Sequence, residues 1–241
     1  SLKIIRKLPE MGADIIELGM PFSDPMADGP VIQRSYNRSL EKGIRIIDVF
    51  KIVETFRKKN SSTPLILMGY YNPIFKYGVE KFIVEAKRKG LDGVLIVDFP
   101  PEADSEVEAK FFNLGLDFIR LATPTTKTDR FKKILNKTTG FLYYVSITGI
   151  TGAKINDLVD IEKNYKKLRR LSKLPFVIGF GINSPKKAKQ MAKYADGVVV
   201  GSVLVKEVEK NLKNNNKIYK NILKLVKQYS KYIKMSRLET T

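Results

Sequence analysis

The run Glu17-Leu18-Gly19-Met20-Pro21-Phe22-Ser23-Asp24-Pro25-Met26-Ala27-Asp28-Gly29-Pro30 decides how this 241-residue chain is read. The residues just ahead of it, 13–18, form a short apolar segment, and the run itself holds three prolines and two glycines. That is too many breakers for a helix or a sheet, so the stretch is a strand running out into a long, stiff loop. Proline fixes φ at several points, and a loop stiffened in this way holds an acid in one place. Glu17, Asp24 and Asp28 are the acids available. Two of them acting as a proton-transferring pair is one reading. The other is that Glu17 closes the strand while the aspartates support turns.

Outward from this stretch, a short apolar strand followed by an amphipathic helix recurs along the chain. Ahead of it, Leu2, Ile5 and Leu8 fall at helical spacing and predict a helix over 2–10. Behind it come helices over 31–40 and 44–58, then strands at 64–68, 93–97, 117–122, 141–145, 176–178 and 197–200. Helices at 79–89, 105–114, 129–135, 161–171 and 185–194 separate these strands, and two more, at 203–210 and 218–234, close the chain. Near-continuous apolar strands, each followed by a helix, predict a parallel sheet covered by helices. The expected fold class is α/β, a (β/α)8 TIM barrel in a single domain over 1–241, with an extra helix after the last strand. The polar tail over 235–241 is expected to fray. Seven strands are readable where a closed barrel needs eight, and the chain opens with a helix at Ser1. The first strand is therefore expected to be missing from this chain.

Composition narrows the chemistry. Hydrophobic residues make up 43% of the chain, enough for a sizeable core. No apolar run approaches the ~18 residues of a membrane span, and the N-terminus lacks the apolar core and cleavage site of a signal peptide. A soluble, cytoplasmic protein is expected. The absence of both cysteine and histidine removes disulfides, thiolate nucleophiles, Cys/His zinc sites and histidine catalysis. Carboxylate acid/base work with tyrosine support is what remains favoured. The net charge of +19 comes from lysines spread along the chain rather than from one basic block. It reads as a solvated helix surface, with no nucleic-acid or membrane partner expected.

In a barrel of this kind, active groups sit at the C-terminal ends of strands and in the loops beyond them. Glu17 lies at such an end, sharing a face with Ile15 by strand alternation, and is expected to point into the barrel mouth. Asp28 follows in the same loop. After the strand at 141–145 comes Ser146-Ile147-Thr148-Gly149-Ile150-Thr151-Gly152-Ala153-Lys154. Its glycines and hydroxyls suit a closing lid or phosphate clamp, or an ordinary long surface loop. Tyr143 just before it is either a core aromatic or a site residue. Gly179-Phe180-Gly181-Ile182-Asn183-Ser184 and Gly201-Ser202 follow the last two strands, where barrels frequently bind phosphate on glycine N–H groups and a short helix N-terminus. Tight turns without a ligand are the alternative.

The string from Glu17 to Pro30 resembles the signature of the tryptophan synthase alpha chain family. The resemblance runs from Ser1 to about Lys234 and takes in Tyr70-Tyr71-Asn72-Pro73, Val97-Asp98-Phe99-Pro100, Tyr143 to Gly152 and Gly179 to Ile182. It implies a lyase of L-tryptophan biosynthesis that cleaves indole-3-glycerol phosphate to indole and glyceraldehyde 3-phosphate, without a metal or cofactor in this chain. By resemblance Glu17 is the general acid/base, Asp28 stabilises charge at the indole nitrogen, and Tyr143 supports the site. Gly152, Gly181, Gly201 and Ser202 hold the phosphate, with Phe180 beside the substrate and Thr151 in the mobile loop. The implied partner is the beta chain, in an alpha2-beta2 assembly, and pyridoxal phosphate is expected only there. The proline-rich loop and the loop near Asn72-Pro73 are the expected contacts. The sequence departs from the family at Ile147, where many relatives carry arginine, and in lacking the opening strand and its Gly-Asp-Pro turn. A barrel that only activates the beta chain, or one that binds another sugar phosphate, stays open as an alternative.

Overall fold

The computed structural model describes residues 1–239 except 104, 146–154 and 180, and of 155–160 the backbone alone. These residues form two units, Ser1–Phe118 with Leu204–Lys227, and Ile119–Val203 with Gln228–Thr241. The first unit runs through α1 (Leu2–Ile5), a 3-10 turn (Pro9–Met11), β1 (Ile16–Gly19), α2 (Pro30–Glu41), α3 (Ile46–Arg57) and β2 (Leu65–Gly69). It continues with α4 (Tyr71–Tyr77), α5 (Val79–Lys89), β3 (Gly93–Ile96) and α6 (Ser105–Asn113). The second is built on β4 (Asp117–Ala122), α7 (Thr128–Asn136), β5 (Leu142–Val145), α8 (Ile155–Arg169), β6 (Phe176–Gly179), α9 (Pro185–Ala192) and β7 (Gly197–Val198). The closing helices α10 (Ser202–Lys210) and α11 (Asn215–Leu238) contribute residues to both.

Among the described residues there are seven strands, the number the sequence predicts. In the first unit β1, β2 and β3 run parallel, with Glu17 opposite Ile66 and Leu67 opposite Val94. In the second, β4 to β7 run parallel, with Tyr143 opposite Val177 and Ile178 opposite Val198. Parallel strands are covered on both faces, which is why Leu65, Ile66 and Leu67 are all buried and why the strands read as unbroken apolar runs. Each fully buried Phe or Leu contributes about 1.5–3 kcal/mol by leaving water. A chain of rings spans the first unit's core, Phe50 to Phe82 at 5.3 Å, Phe82 to Phe111 at 6.3 Å and Phe111 to Phe118 at 5.3 Å. In the second unit Tyr165 stacks on Phe176 at 4.8 Å, with Tyr144 edge-on to both.

Both units fasten the N-terminal ends of their strands with the same device. The carboxylate of Asp92, just ahead of β3, accepts from the Leu65 amide at 2.6 Å and pairs with Arg57 at the end of α3. Asp196, just ahead of β7, accepts from the Phe176 amide at 2.7 Å and from Arg169 at the end of α8, also at 2.7 Å. In each case an acid ties a strand amide to the preceding helix, and the strand's opposite end is left for chemistry.

The structure departs from the sequence reading at several ends. The helix expected over 2–10 stops at Ile5 and resumes only as the turn Pro9–Met11, because Pro9 has no N–H to donate to the Ile5 carbonyl. Asn72-Pro73, expected in a loop, lies in the first turn of α4, where an absent N–H costs nothing. The tail expected to fray at 235 stays helical to Leu238, with Arg237 donating to the carbonyls of Ala195 at 2.6 Å and Asp196 at 2.8 Å. Among the described residues, no helix is long and apolar enough to cross a membrane.

Candidate active site

β1 has only four residues, and its first, Ile16, is buried in the core. Side chains alternate along a strand, so Ile16 and Leu18 share one face while Glu17 and Gly19 share the other. Ile15, expected on Glu17's face, instead precedes β1 and is 41% exposed. Glu17 Oε1 is buried and has no hydrogen-bond partner among the described residues. Burial, and then the nearby charge of Asp28, push the Glu17 carboxyl up to about 7 from the ordinary 4.5. An acid balanced near neutrality both gives and takes a proton at working pH.

The loop beyond β1 is held at each end. The Met20 amide donates to the Met68 carbonyl at 2.8 Å, continuing the β1–β2 ladder by one step. A turn follows in which the Asp28 amide donates to the Pro25 carbonyl at 3.0 Å. Pro30 then sits in the first turn of α2, where its fixed φ favours the helix. Of the loop acids, Asp24 stays exposed, its carboxylate accepting from the adjacent Ser23 hydroxyl and its carbonyl from the Met26 amide, a turn-supporting role. Asp28 is turned the other way. Its Oδ2 accepts from the Tyr70 hydroxyl at 2.8 Å, and that hydroxyl accepts from the Ala27 amide at 3.1 Å. Burial raises the Asp28 pKa, while the Tyr70 bond opposes the rise. Tyr70 is itself almost wholly buried and packs against Phe22 with ring centroids 5.4 Å apart. Its part in the site was not foreseen, since the bond to Asp28 spans 42 residues and leaves no local pattern.

In the second unit Tyr143 lies on β5 and is buried. Its ring covers Gly179 of β6, where an added Cβ would come within 2.6 Å of the Tyr143 Cζ. Only glycine allows that approach, so the strand end of β6 and the ring of Tyr143 fit as a pair. Gly181 follows with φ of 67°, a left-handed turn that glycine adopts freely. Gly201 precedes α10, with no atom within 4 Å of where a Cβ would stand, and Ser202 opens the helix. Exposed amides at a helix start attract an anion. Thr151, Gly152, Phe180 and Ile147 lie outside the described residues.

Repeated βα units with parallel strands define the class as a TIM-barrel protein, with Glu17 of β1 as the candidate carboxylate. The family comparison is more specific. The profile of the tryptophan synthase alpha chain family matches residues 1–234, and the chain belongs to that family. Among solved structures it is similar to tryptophan synthase subunit alpha from Legionella pneumophila, with 38% identity and a TM-score of 0.89. That match covers 97% of this chain and 87% of the other. It is also similar to a chain of the tryptophan synthase complex from Pyrococcus furiosus, at 36% identity and a TM-score of 0.83, covering 95% of this chain and 90% of that one.

Proposed function

We propose that this chain cleaves indole-3-glycerol phosphate to indole and glyceraldehyde 3-phosphate, a step of L-tryptophan biosynthesis in the cytoplasm. The observation that carries the reading is Glu17, a carboxyl near neutrality whose Oε1 is buried with no hydrogen-bond partner among the described residues, near the charge of Asp28. Glu17 in its acid form protonates the indole ring carbon that bears the side chain, and the ring nitrogen becomes positive. Asp28, oriented by Tyr70, stabilises that charge. The Glu17 carboxylate then takes the proton of the adjacent side-chain hydroxyl, and the carbon–carbon bond breaks. Its electrons return to the ring, releasing neutral indole, while the hydroxyl carbon becomes the aldehyde. Glu17 ends protonated, ready for the next turn. Tyr143 supports the site. The amides around Gly152, Gly181, Gly201 and Ser202 hold the phosphate, with Thr151 and Phe180 alongside, and this chain supplies no metal or cofactor.

The partner in this reading is a tryptophan synthase beta chain, which carries the pyridoxal phosphate and receives the indole. Met26 of the loop and Phe75 of α4 are 85% and 66% exposed, and both sit on the segments assigned to that contact. The test is indole release from indole-3-glycerol phosphate by the wild type and Glu17→Gln. Loss of the carboxylate is expected to cost about 100-fold or more.

A further inference from the structure

Gly19 leaves a gap on the face of β1 that carries Glu17, because the side chains of residues two apart point the same way. Tyr36 of α2 lies against one side of it, while Gly19 itself stays exposed. A Cβ on Gly19 would lie 3.1 Å from Tyr36 Cε1 and 3.3 Å from the hydroxyl oxygen, so the ring rests directly on the glycine. Tyr36 is only 7% exposed. The helix that delivers it is tied to the site at its start, where Gln33 Nε2 donates to the Asp28 carbonyl at 2.8 Å. It is also tied along its outer side, where Arg34 and Arg38 both reach Glu209, at 2.6 Å and 3.2 Å. Asp28 of the loop acts on the Glu17 carboxyl, and Tyr70 beyond β2 donates to Asp28. Burial, then Asp28, Tyr70 and Glu17 in that order, raise the Tyr36 hydroxyl's pKa, so the tyrosine lies within electrostatic reach of both carboxylates.

We propose that Tyr36 is a positioning residue for the acid: its ring, seated against Gly19 on the Glu17 face of β1, limits the access of water to the Glu17 carboxyl. The inference rests on the assignment of Glu17 as the acid/base of the lyase. A glycine two residues past the acid and a tyrosine from the next helix are then one device. Tyr36→Ala opens the gap, water solvates the Glu17 carboxylate, and the carboxyl falls from about 7 back toward 4.5. Tyr36→Phe keeps the ring and with it the elevated value. Gly19→Ala forces the ring aside, and that cost shrinks once Tyr36 is already Ala.

The experiment is a carbon-13 NMR titration of the labelled Glu17 carboxyl in wild type, Tyr36→Phe and Tyr36→Ala, with kcat/KM measured against pH in parallel. Tyr36→Ala is expected to lower the Glu17 pKa by about 1 unit or more, while Tyr36→Phe stays within about 0.3. A Tyr36→Ala titration within about 0.3 of wild type overturns the proposal; Tyr36→Leu serves if the alanine variant does not fold. The Gly19→Ala and Tyr36→Ala effects on kcat/KM are expected to be non-additive by ~5-fold or more, and strict additivity counts against the seat on Gly19. Because the titration needs no turnover, a wild type without lyase activity sinks the lyase reading and leaves the water-excluding role to be decided by NMR.

Discussion

Glu17 is half-buried, with its Oε1 out of water, and such groups carry a stability cost that serves chemistry. Its pKa is raised on folding, so the native state binds more protons than the unfolded chain between about 4.5 and 7. The sign follows directly. Stability associated with this group is full below the unfolded value and is lost as pH rises through about 7. Glu17→Gln, which removes the charge, is expected to melt higher than wild type at pH 8, by an amount equivalent to about 1–3 kcal/mol. The difference should shrink toward pH 4.5, and thermal melts across that range check it. Equal pH dependence in the two proteins would place Glu17 in water. Tyr70→Phe removes the one side-chain donor to Asp28 described here, so kcat/KM should fall about 10-fold or more, with the fold intact by circular dichroism. At this scale the two acids stand out in the sequence because Glu17 breaks the apolar segment 13–18 near its end and Asp28 sits in a proline-stiffened loop. Tyr70 and Tyr36 were not, because what gives each its role is a contact across the fold. Neither sits in a pattern that separates a site tyrosine from a core one.

Elements were readable where one interaction dominates. Buried parallel strands must be apolar on both faces, and the strand predicted over 117–122 matches β4 residue for residue. Edges set by competing local rules were harder. A proline suggested a loop at Asn72-Pro73, yet the first turn of a helix tolerates it, and α4 forms there. A polar tail suggested fraying, yet long-range bonds from Arg237 hold the end of α11. The two aspartate clamps belong to this scale as well. Asp196→Ala would strand the Phe176 amide and release Arg169, and is expected to destabilise the protein by about 1–3 kcal/mol, or several degrees in Tm. Asp92→Ala is the matching case at Leu65. Because both lie at the N-terminal ends of strands, kcat below the melting range should barely change in either variant. A large loss of kcat at full stability would mean that these ends carry more than structure.

The whole chain carries 44 basic and 25 acidic residues, and α11, from Asn215 to Leu238, contains no acid at all. Its six lysines, Lys217, Lys220, Lys224, Lys227, Lys231 and Lys234, recur every three or four residues and are all exposed. They fall on one side of the helix, while Ile218, Ile222 and Tyr229 are buried. The pattern is that of a solvated outer face. In the proposed assembly, association falls instead to the exposed apolar side chains of Met26 and Phe75. Phe75→Asp is expected to weaken stimulation by a beta chain about 10-fold, with the melting temperature unchanged, because an exposed side chain contributes to binding and little to folding. A titration of beta chain against alpha activity reads this directly. The central claim, that Glu17 moves the proton, is tested most directly by indole release from indole-3-glycerol phosphate by wild type and Glu17→Gln, each with and without the beta chain. The account predicts release by the wild type that rises with the partner, and a fall of about 100-fold or more in Glu17→Gln under both conditions. Full release by a stably folded Glu17→Gln would contradict it.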